Sequence, residues 1–143
     1  MPFNWAGCHI DKKKTILVVE DERLSRKLIA GTLINHGFEC LTAENGRYAL
    51  DILENNHCDL ILTDLRMPIM DGVEFIGAYR ERETEGGHKD NINNHHKIPI
   101  VVLSAEEGEM LERAIKLDIA GYFIKSSPIE ALIPKLKDLL HVQ

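Results

Sequence analysis

Short runs of aliphatic and β-branched residues alternate along this chain with longer stretches whose apolar positions recur at intervals of three and four. The short runs, residues 15–19, 38–42, 60–63, 98–103 and 121–124, have the length and composition of strands. The stretches between them predict helices over 23–36, 46–55, 73–83, 107–117 and 128–140. In the first helix Leu24, Leu28, Ile29 and Leu33 are expected to share one face, with Gly37 as the stop. The last helix opens on Ser127, Pro128 and Glu130, a capping-box pattern with proline at the first helical position. Pro134 falls inside it, where it removes one backbone hydrogen bond and clashes with the carbonyl of Glu130, so a kink is expected there.

Five β-α units with short, fully apolar strands imply a parallel sheet covered by helices on both faces, the doubly wound α/β class. Right-handed crossovers leave few topologies. The flavodoxin-like order 2-1-3-4-5 puts strand 1 beside strand 3, and ligands then bind at the carboxyl ends of the strands near that switch point. Residues 1–14 show no period and are expected to form a tail, with one domain over 15–143. Residues 85–97, rich in Gly, Asn and His, are too long for an ordinary connection and read as an insertion before the fourth strand. Running from a helix into a strand, it is expected at the amino ends of the strands, opposite the site.

The chain has 143 residues, 44% of them hydrophobic, which suits one domain able to hold a core without disulfides or a structural metal. A net charge of −6 and no continuous basic stripe argue against direct nucleic-acid binding. Cys8, Cys40 and Cys58 form no Cys-x-x-Cys pair and are odd in number, which reads as reduced thiols, Cys40 and Cys58 serving as small core residues. The aliphatic run Ile16–Val19 falls far short of the roughly 20 residues that span a bilayer, and the first ten residues lack the features of a signal peptide. A cytoplasmic, membrane-free protein is expected.

The residues that follow the strands carry the chemistry. Glu20, Asp21 and Glu22 follow the first strand, Asp64 the third, Ser104 the fourth and Lys125 the fifth. Carboxylates converging in one crevice repel unless a cation neutralises them, and oxygen donors without Cys or His suit a hard ion such as Mg²⁺ or Mn²⁺. Lys125 and the Ser104 hydroxyl add the positive charge and the donor needed to hold a phosphoryl group beside such a metal.

The segments Val-Val-Glu20-Asp21-Glu22, Asp64-Leu-Arg-Met67-Pro68-Ile-Met-Asp71-Gly72, Leu-Ser104-Ala105 and Gly121-Tyr122-Phe-Ile-Lys125 resemble the receiver domain of bacterial response regulators, of the single-domain kind found in chemotaxis regulators. The resemblance covers about residues 15–140. It implies that Asp64 is the phosphoacceptor and that Asp21 binds the metal directly, with Glu20 acting through water. It further implies that Asp64 and the backbone carbonyl of Arg66 are ligands, Lys125 pairs with the phosphoryl group, Ser104 is the switch hydroxyl, and Tyr122 changes rotamer with it. The implied donor is a phosphohistidine of a sensor histidine kinase or histidine phosphotransfer protein. The implied output is a protein-binding and possible dimer surface on the fourth helix, fifth strand and fifth helix. Arg23, Arg26 and Lys27 on the first helix are either plain surface charges or, by the resemblance, part of the donor's docking face. Arg66, two residues past the acceptor, can lie over the site mouth and modify hydrolysis.

The chain departs from that family at one point. Proline usually follows the lysine in a cis bond, whereas Ser126 and Ser127 follow Lys125 here. A cis Lys125–Ser126 bond would cost about 2.5–4 kcal/mol, and a trans bond would place the lysine differently. Each residue alone also has an ordinary reading. Ser104 with Glu107 would be a capping box, Asp71-Gly72 a turn and helix start, Tyr122 an edge-strand aromatic, Lys125 a solvated charge and Asp64 a turn residue. His88, His95 and His96 in the insertion have no spacing of a preformed metal site. A haloacid-dehalogenase-type phosphatase would need a second Asp where Arg66 stands. A flavodoxin-like redox protein would need a Ser/Thr/Gly phosphate loop where Glu20-Asp21-Glu22 stands. A degenerate, phosphate-independent receiver acting only as a binding module remains as the alternative.

Overall fold

In the computed structural model residues 12–84, 97–105 and 107–142 are described. Five strands, β1 Thr15–Val19, β2 Glu39–Ala43, β3 Leu60–Asp64, β4 Ile100–Ser104 and β5 Gly121–Ile124, form one sheet of order β2-β1-β3-β4-β5. All four pairings are parallel. The doubly wound class and the predicted strand order are therefore those of the molecule. The helices are α1 Arg23–Asn35, α2 Gly46–Asn55, α3 Gly72–Thr84, α4 Glu109–Ile115 and α5 Ile133–Leu140, the last preceded by a 3₁₀ turn, Ile129–Leu132. Most of the expected tail and nearly all of the expected insertion, with Cys8, His88, His95 and His96, lie outside the described residues.

Alternation along the strands sorts the core into two layers. Leu17, Val19, Ile61, Ile100 and Val102 pack with Leu50 of α2, Phe75 and Ile76 of α3 and Leu111 of α4. Ile16, Val18, Leu60, Leu62, Val101 and Leu103 face the other way, onto Ile29 and Leu33 of α1 and Leu136 and Leu140 of α5. Every residue of β3 and β4 is buried, as a central parallel strand covered on both faces requires. Cys58 is fully buried and Cys40 partly so, and burial raises their thiols to about 12 and about 11.

Two local expectations are corrected and one open alternative is closed. Leu24 and Leu28 are 75% and 65% exposed, because the face of α1 that meets the sheet is the one carrying Ile29, Thr32 and Leu33. Leu28 and Ile29 stand about 100° apart around a helix, and only one of them can point at the sheet. The 128–140 segment is not one kinked helix. Pro128 lies outside with extended backbone, no side chain caps the 3₁₀ turn, and Pro134 occupies the first turn of α5, where a missing N–H costs nothing. The α4 helix begins at Glu109 with Gly108 as its N-cap, so Ser104 is not its cap.

Other caps follow the sequence. Gly37 has φ +96° after α1, a conformation that favours glycine, and its amide donates to the Ile34 carbonyl. Asp71 accepts from the Glu74 amide at 2.8 Å while the Glu74 carboxylate accepts from the Asp71 amide at 3.1 Å, a reciprocal box that starts α3. No cis peptide bond occurs among the described residues, so Lys125–Ser126 is trans.

At the amino ends of the strands, Arg80 ties α3 to the core. It pairs with Glu83 at 2.7 Å and donates to the carbonyls of Ile98 and Asp118 at 3.2 and 3.0 Å. The Glu83 carboxylate in turn accepts from the Ile98 amide, which closes the chain between α3 and β4.

Candidate functional site

The site forms where β3 and β4 end in polar residues and β1 and β5 are followed by them. The ladder pairs Val19 with Thr63, Asp64 with Leu103 and Ser104 with Ile124, so the residues that follow the apolar runs emerge at one level. Glu20, Asp64 and Ser104 are 1%, 7% and 6% exposed, polar groups at depths normally reserved for the core. Such burial requires partners.

Lys125 supplies them. Its ammonium donates to Glu20 Oε1 at 2.7 Å and to Asp64 Oδ2 at 3.0 Å, while its own amide donates to the Ser104 carbonyl at 2.7 Å. The second Asp64 oxygen, Oδ1, accepts from the Leu65 amide at 2.7 Å. Burial lifts the Glu20 carboxyl above the usual carboxylate range, against the lowering by its bonds to Lys125 and to the Glu22 amide. Burial acts on Lys125 in the opposite sense, and its hydrogen bonds to the two carboxylates outweigh that, so its value is raised. Lys125 is thus an internal counter-ion and not a solvated charge.

Glu20, Asp21 and Asp64 each offer an oxygen within 4.8 Å of the others, with Asp21 exposed at the rim. Three hard oxygen donors with more negative than positive charge fit Mg²⁺ or Mn²⁺ and give no foothold to a thiophilic metal. A cleft of about 80 Å³, partly open to solvent, adjoins Asp64. Its lining includes Asp64, Arg66, Ser104, Glu107, Met110 and Lys125. The sequence-derived residues therefore converge, with one exception. Tyr122 sits on β5, the sheet edge, 39% exposed and outside that lining.

Two features escaped the sequence reading. A Cβ on Gly72 would stand 2.3 Å from the Asp64 carbonyl oxygen and 2.8 Å from Leu65 Cα, and the Gly72 amide donates to the Leu65 carbonyl at 2.8 Å. Glycine here lets the start of α3 press against the backbone carrying Asp64. The Asp71-Gly72 pair signalled a turn, and nothing local signalled this approach. The second is Ile69, 80% exposed with φ +69°, over which the Met70 amide bonds to the Pro68 carbonyl at 2.6 Å. That is a γ-turn, a strained form for a β-branched residue.

A parallel sheet of order 2-1-3-4-5 with an acidic trio and a lysine at its carboxyl edge defines a class, and comparison with known proteins agrees. The model of the response regulator receiver domain family matches residues 16–137, and the chain belongs to that family. Among curated relatives, the response regulator MprA of a Mycobacterium species is 31% identical over 127 residues, covering 87% of this chain and 50% of that protein. The regulatory protein AtoC of Escherichia coli is 31% identical over 118 residues, 82% of this chain and 23% of that protein. The chain thus spans half or less of the length of these relatives. Among solved structures, the response regulator TrrA of Thermotoga maritima, in complex with Mg²⁺ and BeF, has a TM-score of 0.73 at 32% identity, covering 89% of this chain and 99% of that one. The chemotaxis protein CheY4 of Vibrio cholerae has a TM-score of 0.76 at 28% identity, covering 90% of this chain and 100% of that one.

Proposed function

We propose that this receiver domain accepts a phosphoryl group on Asp64 from a phosphohistidine and uses the aspartyl phosphate to change a protein-binding surface. The observation that carries the reading is the setting of Asp64. It is a buried carboxylate with one oxygen on the Leu65 amide and the other on Lys125, beside two further carboxylates. A divalent cation held by Glu20, Asp21, Asp64 and the backbone carbonyl of Arg66 would offset the charge gathering on the phosphoryl oxygens. In the transfer an Asp64 oxygen forms a bond to phosphorus as the bond to the donor's imidazole nitrogen breaks, and the imidazole leaves.

The Leu65 amide fixes the rotation of the Asp64 carboxylate before the donor arrives. Lys125 is already within reach of Asp64 and would pass from carboxylate to phosphoryl oxygen. Ser104 lines the same cleft and would donate to the group, and Tyr122 would move with it, biasing the surface of α4, β5 and α5 between two states. Exposed Tyr122 and Ile115 support that surface as the place where a downstream protein or a second copy binds. Exposed Leu24 and Leu28, with Arg23 and Lys27, flank the acidic turn and support a donor landing on α1.

The donor is a sensor histidine kinase or a histidine phosphotransfer protein. Similarity to a segment of the sensor histidine kinase RcsC of Escherichia coli, 42% identical over 66 residues, supports that signalling context. No helix among the described residues is long and apolar enough to cross a membrane, and a cytoplasmic site of action follows from the proposed partners. One domain over 15–143, with 85–97 as an insertion, is the proposed organisation.

Acetyl phosphate with and without Mg²⁺, read by intact mass on the native protein and on Asp64→Asn, tests the reading. A Mg²⁺-dependent gain of one phosphoryl mass on the native protein alone is expected. Absence of the adduct with acetyl phosphate and with phosphorylated kinase alike would leave a phosphate-independent binding module.

A further inference from the structure

The turn that follows β1 carries two of the three clustered carboxylates, and one side chain outside that cluster grips it. Arg26, in the first turns of α1, sends Nη1 to the Glu20 carbonyl at 2.8 Å and to the Asp21 carbonyl at 3.3 Å. Its own amide donates to the Glu22 carbonyl at 2.9 Å. Among the described residues Arg26 forms no ion pair, so its charge is spent on backbone oxygens and not on a carboxylate. Charge-assisted donation to a carbonyl is stronger than a neutral bond, and a half-buried guanidinium loses little freedom in making it.

We infer that Arg26 is a positioning residue for the cation site: it holds the Glu20-Asp21 backbone so that the exposed Asp21 carboxylate stands ready beside Glu20 and Asp64. This rests on the reading that these three carboxylates bind a divalent cation. The rest of the turn has few restraints. Glu20 is tied by its amide to the Ala43 carbonyl, the Glu22 amide bonds to Glu20 Oε2 at 3.1 Å, and the Ser25 hydroxyl donates to the Glu22 carboxylate. Among the described residues no hydrogen bond or salt bridge holds the Asp21 carboxylate, so the backbone that Arg26 grips is what fixes where that side chain starts. A ligand held in place before binding needs less ordering when the ion arrives, which appears as affinity.

The test is a Mn²⁺ titration by electron paramagnetic resonance on the native protein, Arg26→Met, Arg26→Lys and the control Ile34→Ala, an exposed position farther along α1. Melting in EDTA and amide hydrogen exchange at Asp21 and Glu22 are followed in parallel. Arg26→Met is expected to weaken Mn²⁺ binding about tenfold and speed exchange at Asp21 and Glu22. Arg26→Lys, which keeps one charged donor, should recover most of the affinity, and Ile34→Ala should match the native protein. Equal Mn²⁺ affinity in native protein and Arg26→Met overturns the assignment. If Arg26→Met does not fold, unchanged affinity with faster exchange in Arg26→Lys overturns it instead. No Mn²⁺ binding by the native protein overturns the cation site, and this assignment with it, which separates the two failures.

Discussion

Lys125 bridges two carboxylates whose side chains are only 2% and 11% exposed, while its own is 29% exposed. Replacing it by methionine keeps the length of the stem and deletes the charge. Removing one partner of a fully buried ion pair costs about 3–5 kcal/mol, because the charge left behind has no compensation. Partial exposure of Lys125 lets water take up part of that role, so about 2–3 kcal/mol is expected at pH 8 in EDTA. For a chain of this length about 1 kcal/mol shifts the melting temperature by about 3 °C, so Lys125→Met should melt about 6–9 °C below the native protein. Saturating Mg²⁺ supplies the missing positive charge, and the variant should gain more from it than the native protein does.

The pH dependence has a definite sign. The folded Glu20 value is raised, so between the unfolded value near 4.5 and the folded one the native state binds more protons, and stability falls as pH rises through that window. Loss of Lys125 removes a lowering influence and carries the window upward. The gap between variant and native protein should therefore be widest at pH 8 and narrow toward pH 5. Thermal melts at both values, with EDTA and with Mg²⁺, measure all three effects. A variant that melts within about 2 °C of the native protein in EDTA, or a gap that Mg²⁺ leaves unchanged, would refute the assignment of Lys125 as the internal counter-ion.

Ile69→Asn should stabilise the fold by about 1 kcal/mol, because asparagine tolerates φ +69° and an 80%-exposed side chain surrenders little packing; a higher urea midpoint with an unchanged slope is the readout. Gly72→Ala places a Cβ 2.3 Å from the Asp64 carbonyl oxygen, so a loss of about 1–3 kcal/mol in urea melts and slower phosphorylation by acetyl phosphate are expected together. Cys58, fully buried with its thiol raised to about 12, should resist maleimide in the native protein at pH 8 and become reactive on unfolding, as peptide mapping would show.

The sheet was legible in the sequence because its signals are local. β1 and β5 begin and end where their apolar runs do, and α2 runs between Gly46 and Asn55 as its period predicts. The acidic, hydroxyl and lysine residues were legible for the same reason. A polar residue that directly follows a buried strand must surface at the strand's carboxyl end, and parallel order brings those ends together. Where one residue competed for two local roles, the sequence did not choose. Ser104 could have capped α4, yet α4 starts beyond Gly108. Pro134 reads as a mid-helix break, and only the 3₁₀ turn before it makes it a helix start.

What the sequence by itself determined is the alternation of elements, the strand order left by right-handed crossovers, and the set of chemical groups at the strand ends. Tertiary structure alone decided which face of α1 meets the sheet, that Lys125 spans both Glu20 and Asp64, that Gly72 touches the backbone of Asp64, and that Arg26 reaches the carbonyls before it. Periodicity and chain termination act over a few residues and are written in neighbouring positions. The rotation of a helix about its axis and the approach of two side chains 105 or 61 positions apart are set by how the layers pack, which no local pattern encodes.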